Sequence, residues 1–318
     1  MTSSFVGVKW VKCKEPQSPD LLDENVMSQK CKVAVAQYDI GFFNHFDEFS
    51  AKLENWFQQA YQQNAELLVF PEYGSMELAS LLGEAVYCDL HQQLYAMQNL
   101  YQDYQACYAE LAKRYNAIVL ASSFPVQLPD STFRNRANLF GPEGLIGFQD
   151  KLMMTRFENE QWIITAGDEI KVFNTDIGKI GINICYDSEF PLFAQQQVSA
   201  GADLLLVPSC TDGWSGFHRV RIGCQARALE NQCYVLHSPT IGNASWSPAV
   251  DCNTGKASIY TPVDRGFPNN GILAQLENDH AKWLSADIDL TELAHIRKQG
   301  QVLNHRDWHK QYHAKLAV

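Results

Sequence analysis

The sequence has no apolar run long enough to cross a membrane. A transmembrane helix needs about 20 consecutive, mostly apolar residues, whereas apolar stretches such as residues 202–208 are far shorter. The first ten residues, M-T-S-S-F-V-G-V-K-W, also lack the continuous apolar core of a signal peptide. We therefore expect a cytoplasmic protein that binds no membrane.

Positive charge is scarce. The chain carries 25 Lys and Arg against 36 Asp and Glu, which gives a formal net charge of −11 at pH 7. This balance argues against nucleic acid or an anionic membrane surface as the main partner. Neither a P-loop nor a convincing dinucleotide fingerprint is present, so no cofactor is predicted.

Closely spaced cysteine pairs are missing as well. The nine cysteines are an odd number and include no C-x-x-C pair, which fits neither a disulfide framework nor a zinc ribbon. His305, His309 and His313 recur every four residues and would align three metal ligands on a helix. No acidic or cysteine cluster accompanies these histidines, so we predict no metal site. The cysteine pattern indicates a reducing compartment.

Residues 179–191, K-I-G-I-N-I-C-Y-D-S-E-F-P, have the pattern of a strand that stops at a cysteine. Isoleucines alternate with smaller or polar residues up to Ile184, and Pro191 is typical of the first turn of a helix. Cys185 therefore lies where a strand turns toward a helix, and backbone N–H groups there can stabilise a thiolate and an oxyanion. A lone cysteine is also commonly a small core residue, so this stretch alone leaves both interpretations open.

Two other stretches supply the groups that a reactive thiol needs. The run L-L-V-F-P-E brings Glu72 to the carboxyl end of an apolar strand, where α/β sheets place their chemistry. Lys151 follows the apolar segment 136–150. A carboxylate can accept the thiol proton and an ammonium can hold an oxyanion while the thiol attacks a carbonyl or nitrile carbon. Together these residues favour nucleophilic catalysis by Cys185.

In this order the three motifs resemble those of the nitrilase, or carbon-nitrogen hydrolase, superfamily. Its glutamate, lysine and cysteine motifs look like F-P-E at residues 70–72, K-L-M-M-T at 151–155 and C-Y-D-S-E-F-P at 185–191. The resemblance runs from about residue 31 to about 289 and implies a Glu72, Lys151 and Cys185 triad. One departure is Met154, which stands where many relatives have a proline.

The resemblance implies further features of the site and fold. A second glutamate should follow the lysine, and Glu158 fits that place better than Glu160. The backbone N–H of Tyr186 should share the oxyanion with Lys151. The implied fold is a four-layer α-β-β-α sandwich, which the sequence pattern alone does not distinguish from a doubly wound α/β sheet. Homodimers are common in the superfamily, so we expect a homodimer or a larger assembly.

The hydrophobic pattern predicts one α/β domain over residues 31–290, an N-terminal extension over 1–30 and a C-terminal arm over 291–318 that packs on its own domain or reaches across a dimer. Helices are predicted at 46–63, 91–115, 190–201 and 218–232. Strands are predicted at 31–40, 67–70, 117–128, 136–150 (a hairpin turning at 141–144), 170–175, 179–185, 202–208, 234–238, 272–276 and 283–288.

Substrate contacts are predicted in the loop at residues 209–217, which follows an apolar strand. Asp212 and Trp214 are candidates there, with turn and packing roles as the alternative. His218 is a further candidate and could instead pair with Cys185 as in a cysteine protease, although no motif places an orienting Asn or Asp. Arg156 and Arg219 could attract a substrate carboxylate, but surface ion pairs are their more common use.

These observations predict a hydrolase that cleaves a non-peptide C–N bond of a small carboxamide through a thioester on the cysteine. The products would be a carboxylic acid and ammonia or an amine. N-carbamoyl compounds and nitriles present a similar electrophilic carbon, so an N-carbamoyl amidohydrolase or a nitrilase remains open. A binding or scaffold protein that kept the fold and lost turnover is the alternative of a different class.

Overall fold

The computed structural model describes residues 30–317. The predicted extension over residues 1–30 lies outside them except for Lys30. Fourteen strands are present in this part of the chain: β1 Lys30–Asp39, β2 Leu67–Val69, β3 Ile118–Leu120, β4 Phe124–Gln127, β5 Phe133–Gly141, β6 Gly144–Asp150, β7 Val172–Thr175, β8 Gly178–Ile182, β9 Leu204–Ser209, β10 Tyr234–Asn243, β11 Cys252–Asn253, β12 Ser258–Tyr260, β13 Ile272–Gln275 and β14 Lys282–Asp289. The α-helices are α1 Phe46–Gln62, α2 Glu84–Tyr87, α3 Gln92–Met97, α4 Tyr101–Arg114, α5 Arg156–Glu160, α6 Pro191–Ser199, α7 Trp214–Asn231, α8 Leu290–Gln299 and α9 Asn304–Asp307.

The first sheet is built around β1. Strands β1, β2 and β3 are parallel, as the predicted strand, helix, strand crossover requires. β5 continues the sheet antiparallel to β3 and carries β4 and β6 as antiparallel neighbours. The other edge of β1 pairs with β14, so the last strand of the chain belongs to the first sheet.

The second sheet repeats this arrangement. β8, β9 and β10 are parallel, while β7, β12 and β13 extend the sheet as antiparallel strands. The two sheets join where β1 and β10 pair in parallel, through Tyr38 with Thr240 and Asp39 with Ile241. The carboxyl ends of β2, β8 and β9 therefore come to one region of the molecule.

Alternating burial places the sheets face to face. Val33 and Val35 on β1 share one buried cluster with Ile180 and Ile182 of the second sheet, whereas the intervening Ala34 packs with the first sheet's helices. Helices α1 and α4 cover the outside of the first sheet, and α6 and α7 pack on the second. The predicted four-layer α-β-β-α sandwich is confirmed.

Several predicted elements have different bounds. The single helix expected at 91–115 is two α-helices separated by a 3₁₀ turn, Gln98–Leu100. The continuous strand expected at 117–128 breaks at residues 121–123, because the Ser123 N–H donates to the Pro71 carbonyl at 3.1 Å instead of continuing a ladder. Helix α7 begins at Trp214, within the predicted loop.

Part of the predicted C-terminal arm packs on its own domain. Leu293 and Ile296 of α8 are buried, and the Arg297 guanidinium donates to Asp203 at 2.5 Å. The helix is capped by the Asp289 carboxylate, which accepts from the Thr291 and Glu292 N–H groups. The predicted homodimer stays a prediction.

Neither a membrane-spanning helix nor a group of metal ligands is found in the part of the chain that the structure describes. Within residues 30–317, no helix is both long and apolar enough to span a bilayer. In the same part of the chain, no three His, Cys, Asp or Glu side chains form a group that could hold a metal ion, including the three histidines of the tail.

Candidate active site

Glu72 is placed by the end of β2. The Phe70 N–H donates to the Leu120 carbonyl at 2.9 Å, which keeps the chain beside β3 up to this point. Tyr73, which directly follows Glu72, has a left-handed backbone with φ of 54°. The chain therefore turns sharply just after Glu72. The Thr240 hydroxyl donates to the Glu72 carbonyl at 2.6 Å. These contacts direct a carboxylate that is only 1% exposed into the region where the two sheets join.

Lys151 reaches the same point from the end of β6. Its N–H donates to the Asn135 carbonyl at 2.9 Å, and the residue is 1% exposed. Its ammonium lies 2.7 Å from Oε1 of Glu72 and 2.8 and 2.7 Å from the two carboxylate oxygens of Glu158. The Asn135 amide donates to the same Glu72 oxygen at 2.9 Å. A buried cation is thus shared by two buried carboxylates.

Glu158 is held in place by the first turn of α5. Its Oε2 accepts from the N–H and hydroxyl of Thr155 at 2.9 and 2.8 Å, and the Thr155 hydroxyl in turn caps the Glu158 N–H, which forms a capping box. The Tyr73 hydroxyl donates to Oε1 at 2.8 Å. Glu160, the other candidate, pairs with Arg156 at the surface, so Glu158 is the acidic residue that the structure places beside Lys151.

The pKa values of the two carboxylates, Glu72 and Glu158, are shifted in opposite directions. Burial raises the pKa of Glu72, and the lowering by Lys151 does not offset it. Burial also acts on Glu158, but Lys151 together with hydrogen bonds from Thr155 and Tyr73 outweighs it, so the pKa of Glu158 is lowered. Paired carboxyl groups with opposite shifts are typical of acid–base sites.

Cys185 lies at the turn after β8, as the sequence predicts. Its backbone is left-handed, with φ of 51°, a conformation rare for residues other than glycine. The Ser188 hydroxyl donates to the Cys185 carbonyl at 2.7 Å, and Sγ lies 3.8 Å from the Cys210 carbonyl. Burial and then Glu72 raise the pKa of the thiol well above its usual value, so the resting group is a neutral thiol.

A cavity of about 730 Å³ opens onto these groups. Glu72, Lys151 and Cys185 all line it. One wall is aromatic, since the Tyr73 and Trp162 rings pack at a tilt with centroids 4.6 Å apart and both residues line the cavity. This volume is typical of small-molecule sites.

The match to a protein family agrees with this geometry. The family model described as carbon-nitrogen hydrolase matches residues 32–298, which is most of the chain. The chain belongs to the carbon-nitrogen hydrolase family. The predicted resemblance, and the prediction of a carbon-nitrogen hydrolase at the level of the family, are confirmed.

Two curated relatives of this chain have names that state an activity. Probable hydrolase YhcX of Bacillus subtilis is 34% identical over 289 residues, which cover 88% of this chain and 55% of the relative. Omega-amidase NIT2-B of Xenopus laevis is 28% identical over 205 residues, which cover 60% of this chain and 68% of the relative. The chain thus spans about half the length of YhcX.

Solved structures support the fold. The crystal structure of a carbon-nitrogen hydrolase from Helicobacter pylori G27 matches with a TM-score of 0.70 at 17% identity. The match covers 90% of this chain and 96% of the other. At this identity the likeness concerns the fold alone, and it agrees with the predicted sandwich.

The structure brings only some of the predicted substrate-binding residues to the cavity. Asp212 lines it, whereas Trp214 and His218 are not among the described lining residues. Both lie on exposed positions of α7, where the chain is helical rather than a loop. Arg156 and Arg219 line the cavity rim.

Several residues of the candidate site were not predicted from the sequence. The Cys210 N–H donates to Oε2 of Glu72 at 2.8 Å, Asn135 contacts Oε1 of Glu72, and Tyr73 contacts Glu158. Asp187 accepts N–H groups beside Lys151. Tyr73 directly follows the glutamate motif and Asp187 lies within the cysteine motif, so both could be found from the sequence. A backbone donor such as the Cys210 N–H leaves no signal in the sequence.

Proposed function

We propose that this chain hydrolyses the C–N bond of a small carboxamide through a thioester on Cys185. The observation that carries the proposal is the buried Lys151 ammonium, held within 2.8 Å of both Glu72 and Glu158 beside the thiol. Catalytic roles for these residues are part of the proposal. Glu72 acts as general base and acid, Lys151 as the oxyanion-stabilising cation, and Glu158 as the anion that fixes Lys151.

The pKa shifts support a general-base step over a preformed thiolate. Burial raises the pKa of Cys185, so its proton has to be removed as the sulfur attacks. Burial raises the pKa of Glu72 as well, which makes its carboxylate a better proton acceptor. The lowered pKa of Glu158 suits a permanent anion rather than a proton carrier.

In the first half-reaction the Cys185 proton passes to Glu72 while Sγ bonds to the amide carbon. The carbonyl electron pair moves to oxygen, and Lys151 and the N–H of Tyr186 stabilise the resulting oxyanion. Collapse breaks the C–N bond. The departing nitrogen takes the proton from Glu72, so ammonia or an amine leaves and a thioester remains.

In the second half-reaction Glu72 takes a proton from water, and the hydroxide bonds to the thioester carbon. Collapse breaks the C–S bond, and the sulfur recovers its proton from Glu72. The carboxylic acid leaves and the enzyme returns to its starting state. Water is the only co-reactant.

The choice of a carboxamide is supported by the relatives. A curated relative is named as an omega-amidase, and the cavity of about 730 Å³ is suited to a small molecule. N-carbamoyl compounds and nitriles fit the same chemistry, so the test includes both.

The test is ammonia release from a panel of small amides, N-carbamoyl amino compounds and nitriles, with mass spectrometry of the quenched enzyme. Cys185→Ala should abolish release, whereas Cys88→Ala should not, because Cys88 is exposed and does not line the cavity. An acyl adduct on Cys185 in wild type is expected.

A panel with no release and no adduct from folded wild-type protein contradicts the proposal. Release that persists in Cys185→Ala would remove this thiol from the mechanism. Release from a carbamoyl compound or a nitrile but from no amide would keep the thiol chemistry and change the substrate class.

A further inference from the structure

One buried carboxylate joins the two segments that bear the lysine and the cysteine. Oδ1 of Asp187 accepts the Met153 N–H at 2.7 Å and the Leu152 N–H at 3.1 Å. Its Oδ2 accepts the Ile184 N–H at 3.1 Å and lies 3.3 Å from the Leu152 nitrogen. These three N–H groups belong to segments more than 30 residues apart in sequence.

Each bond adjoins a residue of the proposed triad. Leu152 and Met153 directly follow Lys151, and Ile184 directly precedes Cys185. Asp187 is 1% exposed, so water cannot readily replace its bonds. Removing the carboxylate would leave the N–H groups buried and unpaired, which is unfavourable.

The bridge also bears on the strained turn. Cys185 holds a left-handed backbone with φ of 51°, and such conformations persist only where surrounding contacts fix them. The bond from Ile184 fixes the chain just before Cys185, and the Ser188 hydroxyl fixes its carbonyl at 2.7 Å. Asp187 thus acts on the turn and on the lysine segment through one side chain.

We propose that Asp187 is a positioning residue, which sets the place of the Lys151 ammonium relative to the Cys185 sulfur. The proposal rests on the proposed function for its catalytic consequence. Asp187 does not line the cavity, so substrate binding should be little changed by its loss. The effect should fall on kcat, because the oxyanion and the attacking sulfur would no longer be aligned.

The test compares wild type with Asp187→Asn and Asp187→Ala. Asparagine keeps one acceptor oxygen and can hold one of the two segments, whereas alanine holds neither. Ser188→Ala is the matched control, since it removes a bond within the same turn but none to the lysine segment. The first measurement is of kcat and KM, with kcat expressed per Cys185 thiol titrated and the temperature kept well below the melting temperature of each variant. The second is hydrogen exchange at the amides of Leu152 and Met153. Assays run at pH 8.5, because burial raises the pKa of Asp187 to about 7.

In both Asp187 variants we expect kcat to fall by about 100-fold with KM within about threefold of wild type. In Asp187→Ala, which holds neither segment, exchange at Leu152 and Met153 should also accelerate. Ser188→Ala should keep wild-type exchange at those two amides. A kcat per titrated thiol equal to that of wild type in both variants overturns the proposal, as does unchanged exchange in folded Asp187→Ala.

The proposed function can fail separately. If wild type hydrolyses no compound in the panel, carbamidomethylation of Cys185 replaces kcat as the readout. A rate in Asp187→Ala equal to that in wild type would then overturn the positioning role, and an altered rate together with faster exchange would support it.

Discussion

Replacing Lys151 by methionine should make stability fall with rising pH more steeply than it does in wild type. The change keeps the approximate volume of the side chain but removes the cation between Glu72 and Glu158. Both carboxylates lie within 2.8 Å of the ammonium and are almost fully buried. Without it, two buried like charges lie close together.

The size of the effect follows from Coulomb's law. Two unit charges about 4 Å apart interact by about 4 kcal/mol at an effective dielectric constant of about 20, and breaking a buried ion pair typically costs about 3–5 kcal/mol. We therefore expect Lys151→Met to lose about 4 kcal/mol of unfolding free energy at pH 8, relative to wild type.

The sign of the pH dependence follows from proton linkage. In the variant, repulsion raises the folded-state pKa of one carboxyl above its unfolded value, so the native state binds more protons than the unfolded chain between those two values. Stability then falls as pH rises through this window and is regained at lower pH. At pH 5.5 the loss should be about 2 kcal/mol smaller than at pH 8, because protonation relieves the repulsion.

The assay is urea unfolding of wild type, Lys151→Met and Lys151→Met/Glu158→Gln at both pH values. The double variant removes one of the two charges and should regain about 2 kcal/mol at pH 8 over the single variant. If Lys151→Met is as destabilised at pH 5.5 as at pH 8, or if the double variant is no more stable than the single one at pH 8, the shared-cation interpretation is wrong.

Two further predictions concern the second sheet and its helix. Burial lowers the pKa of His237 to about 3, so only the unfolded chain gains its proton as pH falls below about 6.5, and stability should drop by about 2 kcal/mol between pH 7 and pH 5. Urea unfolding of His237→Gln should lack this component, and an equal pH slope in wild type and variant would contradict it. A Cβ on Gly223 of α7 would lie 2.8 Å from the Ser188 carbonyl oxygen, so Gly223→Ala should cost about 1–3 kcal/mol. Gly213→Ala, with no atom within 4 Å of its Cβ, is the control in the same unfolding assay, and equal stability of the two variants would argue against this close contact.

Much of the fold could be predicted from hydrophobic pattern. The apolar runs that precede Pro71-Glu72 and Cys185 are both recognisable in the sequence, although β2 already ends at Val69 and β8 at Ile182. The break in the helix over residues 91–115 was not, since the apolar spacing of Leu94, Met97 and Tyr101 continues across the 3₁₀ turn. The apolar spacing indicates which face of a helix is buried, but it does not distinguish a continuous α-helix from one interrupted by a 3₁₀ turn.

The site was predictable as a set of residues but not as a geometry. The motifs identify Glu72, Lys151 and Cys185, whereas the contacts of Asn135 and the Cys210 N–H come from strands that meet only in the folded sheets. The start of α7 at Trp214 was missed because Trp-Ser-Gly has weak helix propensity. Its packing against the cysteine turn is a tertiary contact that local sequence does not encode.

The pairing of β14 with β1 determines when, during synthesis, the first sheet can be completed. Residues Lys30–Gln37 of β1 pair with residues Lys282–Asp289 of β14, and only the short carboxyl end of β1 pairs with β10. Until β14 has left the ribosome, most of one edge of β1 stays open, and open strand edges are templates for aggregation. Between the synthesis of β1 and that of β14, the nascent chain therefore carries an incomplete first sheet.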